Sequence, residues 1–212
     1  KVVLGPELRT GVTIANYSER AFFRFPQSGD LNLYALSADA ASDGHVLRTV
    51  SNPRAATAPT WTDQAEYAAA ADIPTGSIGN PSEVAVFRGT GDSEARVFLA
   101  AASGASFQTA VSPCTTIAAN GGANPARCFA VVGDAIWRAD YSSNVYKSTN
   151  GTNTPTWGTA ILIGDPSSPI VSMVGGKDDN EPFDDRLFVL KQDGIHTINA
   201  AGNAYDQHLT PQ

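Results

Sequence analysis

Apolar and polar residues alternate along this chain in short runs, and turn-forming residues interrupt the runs at regular intervals. Alternation with a period of two is the pattern of a half-buried β-strand. Sixteen runs predict strands, and they gather in four groups. The first group is Ala21–Phe25, Leu31–Leu36, His45–Val50 and Thr60–Tyr67. The second is Glu83–Arg88, Arg96–Ala101, Ser106–Val111 and Thr115–Ala118. The third is Cys128–Val132, Ala135–Asp140, Asn144–Ser148 and Thr156–Ile163. The fourth is Ile170–Val174, Arg186–Leu190, Ile195–Asn199 and a weaker strand at Tyr205–His208. Ser28-Gly29, Asp43-Gly44, Asn150-Gly151 and Asp193-Gly194 supply hairpin turn chemistry between them. A further strand, Gly11–Ala15, precedes the first group and is expected to complete the last one, hiding a sheet edge. The helix-like run Ala68–Pro74 ends on proline and is too short to hold alone, so it reads as a turn or a single helical turn.

The groups repeat. Val145-Tyr146-Lys147-Ser148-Thr149-Asn150-Gly151 leading to Pro155-Thr156-Trp157 has a looser copy in Val46-Leu47-Arg48-Thr49-Val50-Ser51-Asn52-Pro53 leading to Pro59-Thr60-Trp61. Gly29-Asp30 and Gly133-Asp134 each stand before the apolar run that precedes a copy. Arg96-Val97-Phe98-Leu99 matches Arg186-Leu187-Phe188-Val189, and each is followed by a glycine, Gly104 or Gly194, that opens the next strand. The order is therefore unit A, unit B, unit A, unit B. Units of roughly 40–50 residues with about four short strands each have the period of β-propeller blades. The expected fold is all-β: a small or partial β-propeller of about four blades, each of four short antiparallel strands, in one domain over 1–212. The blades would span 21–67, 83–118, 128–163 and 170–208. A β-sandwich is the alternative, since regularly spaced short strands describe that fold as well.

Composition narrows the function classes. The apolar fraction of 42% is too high for a disordered chain, and only 17% of residues are charged. A net charge of −7 argues against a nucleic-acid partner, which calls for a basic surface. No stretch approaches the roughly 20 apolar residues of a membrane-spanning helix. The sequence opens at Lys1 without an initiator methionine, as in a processed protein or a piece of a longer one.

The third-to-fourth-strand signature resembles the Asp-box, or BNR, repeat, whose pattern is roughly Ser-x-Asp-x-Gly-x-Thr-Trp. Ser148, Gly151, Thr156 and Trp157 match, with the glycine one place early and Asn150 where the family has aspartate. In the earlier copy Ser51, Asn52 and Thr60-Trp61 match, and the glycine is missing. The resemblance implies a propeller and a structural role for Ser148, Asn150, Gly151, Trp157 and Trp61, because in that family the motif lies away from the ligand face. Physically, a short polar side chain satisfies the backbone N–H groups of the turn while tryptophan packs between sheets.

Sialidases carry such repeats together with an early Phe/Tyr-Arg-Ile-Pro, which Phe23-Arg24-Phe25-Pro26 resembles. By that resemblance Arg24 would clamp a carboxylate. Two further arginines, a tyrosine nucleophile with a glutamate partner and an acid are also needed. Arg88, Arg138, Tyr146 and Glu83 are present, but no spacing ties them to those roles, and six blades do not fit in 212 residues.

Three other features are candidates for chemistry or cross-linking. Cys114 and Cys128 flank a Gly/Asn-rich loop and suit a disulfide, worth roughly 3 kcal/mol for a loop near 15 residues, or else two reduced thiols. A disulfide favours an oxidising compartment. Asp178, Asp179, Asp184 and Asp185 offer hard oxygen ligands at a density that suits calcium, with a solvated acidic loop as the plainer reading. His45, His196 and His208 have no metal-ligand spacing, and Asn16 and Asn150 head glycosylation sequons.

Taken together, these features suggest a non-enzymatic binding or assembly module, extracellular or on a virion surface. Examples are a structural or receptor-binding component of a tailed phage, which the Ala/Gly/Thr-rich composition resembles, or a glycan-binding module. Its partners would be other protein subunits or a surface glycan, with no cofactor beyond calcium. A sialidase-like glycoside hydrolase is the alternative.

Overall fold

The computed structural model describes residues 17–23, 33–39, 44–50, 62–66, 84–93, 95–99, 107–109, 117–119, 126–177 and 185–209. Gly11–Ala15 and Ala68–Pro74 lie outside them. The described residues contain strands and turns and no helix. The first sheet is β1 (Tyr17–Phe23), β2 (Leu33–Asp39), β3 (Gly44–Val50) and β4 (Thr62–Glu66). The second is β5 (Val84–Phe87), β6 (Arg96–Leu99), β7 (Phe107–Thr109) and β8 (Ile117–Ala119). The third is β9 (Cys128–Val132), β10 (Ala135–Ala139), β11 (Asn144–Lys147) and β12 (Ile161–Leu162). The fourth is β13 (Ile170–Lys177), β14 (Asp185–Lys191), β15 (Gly194–Asn199) and β16 (Ala204–Leu209). Each sheet is an antiparallel meander in chain order. Four separate sheets of four strands match the expected grouping and differ from the two facing sheets of a sandwich.

Local sequence explains the meanders. Val132 pairs with Ala135, which leaves only Gly133-Asp134 to reverse the chain, and Gly133 takes φ 59° there. Lys191 pairs with Gly194 around a Gln192-Asp193 turn in the same way. The later Pro-Thr-Trp copy lies between β11 and β12, where Ser148 bridges to Trp157. The earlier one lies outside the described residues, between β3 and β4 in chain order. The hydroxyls just before each connection both tie back to the second strand. Thr49 Oγ1 donates to the Leu33 carbonyl at 3.3 Å, and Ser148 Oγ accepts from the Ile136 N–H at 3.1 Å.

The third sheet is covered on both faces. Phe129, Val131, Ile136 and Trp157 pack against Ala85, Phe87, Phe98 and Ala126 of the second sheet and its exit. Ring centroids step from Phe87 to Phe98 at 6.4 Å, to Phe129 at 5.7 Å and on to Trp157 at 6.4 Å. The opposite face, with Cys128, Ala130, Trp137 and Val145, packs against Ile170, Met173, Leu187, Val189 and Ile198 of the fourth sheet. Alternation along β9 and β10 sends successive side chains to these two neighbours, so both faces must be apolar. The first strands lie side by side, β9 touching β5 and β13. Gly175 allows the second of these contacts, because a Cβ there would overlap the Val131 carbonyl oxygen. Gly89 plays the same part at the sheet edge, against the Gly151 carbonyl.

Polar side chains lock the two rims. On one rim Asp92 Oδ2 accepts from Gly89 N–H at 2.9 Å and from Asn153 N–H at 2.5 Å, joining the β5–β6 turn to the β11–β12 connection. Within that connection Asn150 Oδ1 accepts from Thr156 N–H at 3.0 Å, and its Nδ2 donates to the Thr154 carbonyl at 2.7 Å. On the other rim Lys191, its side chain wholly buried, donates to the Ile163 carbonyl and, at 2.7 Å, to the Asp165 carbonyl. Ser143 Oγ donates to the Ser168 carbonyl at 2.7 Å, so the crossover from the third to the fourth sheet is held from both sides.

Asp140 organises the β10–β11 turn on that second rim. It accepts from Ser142 N–H at 2.8 Å, Ser142 Oγ at 2.5 Å, Asn144 Nδ2 at 3.3 Å and Tyr146 OH at 3.2 Å. Partial burial pushes its carboxyl up, but the donors from Ser142, Asn144 and Tyr146 outweigh it and leave the group below the ordinary carboxylate range.

Two predictions follow from this packing. Gly175→Ala will lower the unfolding free energy in urea by about 1–3 kcal/mol, since backbone must shift to admit the methyl; a change under about 0.5 kcal/mol would contradict the close approach. The stabilisation from Asp140 is complete above the unfolded carboxyl value of about 3.9 and is lost as pH falls through the lowered folded value. The urea midpoint of the parent protein will therefore drop more between pH 5 and pH 3 than that of Asp140→Asn, a comparison in which the other carboxylates cancel.

Candidate interaction surface

Several titratable groups of the described sheets hold strands and turns in place. Arg138 on β10 is buried, with its guanidinium 3.8 Å from the ring centre of Tyr146 and 5.1 Å from that of Trp157. Burial lowers its pKa, against the opposing pull of Tyr146 and Asp140. The Tyr146 phenol is pushed above its usual value, first by burial and then by the Asp140 charge and hydrogen bond. A raised phenol is less able to supply a phenolate, the reverse of what a tyrosine nucleophile requires. Arg88 sits on the β5–β6 turn, exposed, donating from Nε to the Asp92 carbonyl of its own turn at 3.0 Å. Arg88 follows β5 of the second sheet, and Arg138 lies on β10 of the third. Arg24 and Glu83 lie outside the described residues.

A second polar cluster gathers on the fourth sheet. Asp193 Oδ1 accepts from Ser168 Oγ at 3.2 Å and lies 3.5 Å from His196 Nε2, with Lys191 Nζ 3.9 Å from Oδ2. Burial raises the Asp193 carboxyl, but the Lys191 charge and the donors from Asp165, His196 and Ser168 bring it below the ordinary range. Lys191 is lowered by burial in spite of the Asp193 and Asp165 charges. Serine, aspartate and histidine meet here in the wrong order for acyl transfer. Nucleophilic serine needs the imidazole between itself and the carboxylate, whereas Asp193 stands in the middle.

The residues singled out from the sequence are thus dispersed. Ser148, Asn150, Gly151 and Trp157 come together in the β11–β12 connection, while Trp61 is outside the described residues. Trp157 packs on Phe129. Cys128 is fully buried between the third and fourth sheets. Cys114 lies outside the described residues, and no disulfide is found among those described. Of the acidic run, Asp178, Asp179 and Asp184 are outside the described residues, and Asp185 opens β14. Among the described residues no three His, Cys, Asp or Glu converge as metal ligands. His196 is buried in β15; His45 and His208 fall in β3 and β16.

Among the described residues one apolar stretch also stands open. On the outer face of the fourth sheet Val174 is 61% and Leu190 42% exposed. With Ser172, Met173, Phe188 and Ile195 they line a groove of about 320 Å³. The strand β13 continues from it to a cavity of about 490 Å³ that it shares with β5 and β9, walled by Val84, Val86, Phe129 and Val131 among others. Exposed contiguous apolar surface of this kind marks an interaction site more often than a solvated one. Alternation alone did not reveal it, because a strand covered on both faces and a strand covered on one can carry the same residues.

No family model matches the chain, and no curated protein matches it. Among solved structures it is similar to two crystals of BBS1N in complex with ARL6DN, one soaked with lead and one with mercury. The first shares 14% identity over 92% of this chain with a TM-score of 0.55, and the second 14% over 89% with a TM-score of 0.51. At this identity the likeness is one of fold, and BBS1N is a β-propeller. The chain spans about half the length of these neighbours, 52% and 53% of them.

Proposed function

We propose that this chain is a section of a β-propeller, built on Asp-box-like repeats, that acts as a non-enzymatic protein-binding and assembly module outside the cytoplasm or on a virion. The observation that carries the reading is the contrast within the described sheets. The polar side chains of Asp92, Asp140, Ser143 and Lys191 hold rims and turns, while the apolar outer face of the fourth sheet, with Val174 and Leu190, is left to solvent. The similar BBS1N structures contain a protein partner, ARL6DN, which supports a protein rather than a small-molecule ligand for this fold. The charge-poor, Ala/Gly/Thr-rich composition supports the location.

Isolation from the native source under non-denaturing conditions will recover the chain with other subunits of one particle in fixed stoichiometry; recovery as a lone species would overturn the assembly role. A fluorogenic sialoside will not be turned over. Hydrolysis that disappears in Tyr146→Phe would establish the glycoside hydrolase instead.

A further inference from the structure

The connection between β11 and β12 holds a reactive pair. At Asn150-Gly151 the asparagine side chain is open to attack by the backbone, because glycine puts no side chain beside the next nitrogen. In that reaction the Gly151 nitrogen gives its proton to solvent hydroxide and bonds to Cγ of Asn150. The Cγ–Nδ2 bond breaks, and the amide nitrogen leaves as ammonia with a proton from water. Water then opens the five-membered imide at either carbonyl, which leaves aspartate or isoaspartate at 150. Water is the only reagent consumed, and Asn150 is exposed to it.

The folded connection ties this pair down. Asn150 Oδ1 accepts from Thr156 N–H at 3.0 Å, and Nδ2 donates to the Thr154 carbonyl at 2.7 Å and to Thr152 Oγ1 at 2.9 Å. Closing the imide requires side chain and backbone at 150 to rotate together, and a carboxamide fixed at both ends resists that. Gly151, at φ 56°, is held as well. Its carbonyl abuts Gly89, where a Cβ would overlap it, and Asn153 N–H donates to Asp92 Oδ2 at 2.5 Å.

Neither product can remake these contacts. Aspartate at 150 keeps an acceptor for Thr156 but turns an oxygen toward the Thr154 carbonyl, so two acceptors face each other. Isoaspartate lengthens the main chain by a carbon before Gly151, and the contact with Gly89 has no room for the shift. We propose that Asn150-Gly151 is a self-modification site guarded by the fold: the closed connection shields it from deamidation, opening releases the reaction, and the product leaves the second and third sheets unlocked at that rim.

Peptide mapping of the full chain at mildly alkaline pH reads the amide-to-acid mass change at Asn150. It separates this site from Asn120-Gly121, the sequence's other such pair. Conversion at Asn150 will be at least about tenfold slower in buffer than in unfolding urea, as for a reaction gated by opening. Asp92→Ala, shown folded by circular dichroism, removes the bonds to Gly89 and Asn153 and will speed conversion in buffer several-fold. Equal rates for the parent in buffer and urea, or a rate unmoved in folded Asp92→Ala, would overturn the guarding. Asn150→Asp makes one product directly; it will lower the urea midpoint and speed hydrogen exchange at the Asn153 amide, which bonds to Asp92 in the parent. Parent-like exchange at Asn153 in that variant would overturn the unlocking.

Discussion

Everything described here depends on burying both faces of a small sheet at once. A four-stranded sheet with strands as short as those of β9 to β12 cannot form a core by itself, and its stability has to come from neighbours on either side. The third sheet meets that requirement through one recurrent contact, an aromatic ring on the second strand pressed by the next sheet. Phe98 against Phe129, and Trp137 within the cluster that holds Ile170 and Leu187, are two instances of it. The rings can reach across only because the first strands approach closely, and at β13 that approach needs the missing side chain of Gly175.

The polar residues serve this stacking. Sheets that touch through apolar faces would slide without directional contacts, and hydrogen bonds at the rims supply direction. Asp92 bonds backbone of two sheets at one rim, and Lys191 and Ser143 bind the crossover at the other. Lys147 adds a bridge, donating to the Ala200 carbonyl at 2.5 Å while lying 5.8 Å from the Trp137 ring centre. Side chains fixed in this way are poor candidates for acid–base work. Tyr146, stacked on Arg138 and bonded to Asp140, has its phenol pushed above its usual value, away from the phenolate.

The outer face of the fourth sheet stands open and apolar around Val174 and Leu190. A surface of this kind can recognise a partner through shape and apolar area. The outer face around Phe188 offers both, because it was shaped by the same repeat that fits Phe98 to its neighbour.

The sequence by itself determined the strands, their grouping and their turns. Period-two alternation acts over a few residues, and the four sheets follow from it with most boundaries within a few positions, although the strand expected at Thr156–Ile163 is only Ile161–Leu162. It also placed the later Pro-Thr-Trp copy in the connection between the third and fourth strands of its sheet. What the tertiary structure alone decided is which face is covered and by what. Arg138, read from sequence as one of several loose arginines, turns out to be stacked between Tyr146 and Trp157, residues brought to it by strand pairing and by a bridge across an eight-residue loop. Phe98 and Phe188 sit in matching tetrapeptides, yet one is buried and the other partly exposed. That difference belongs to the presence or absence of a neighbouring sheet, a contact between distant parts of a chain or between chains, which no local pattern encodes.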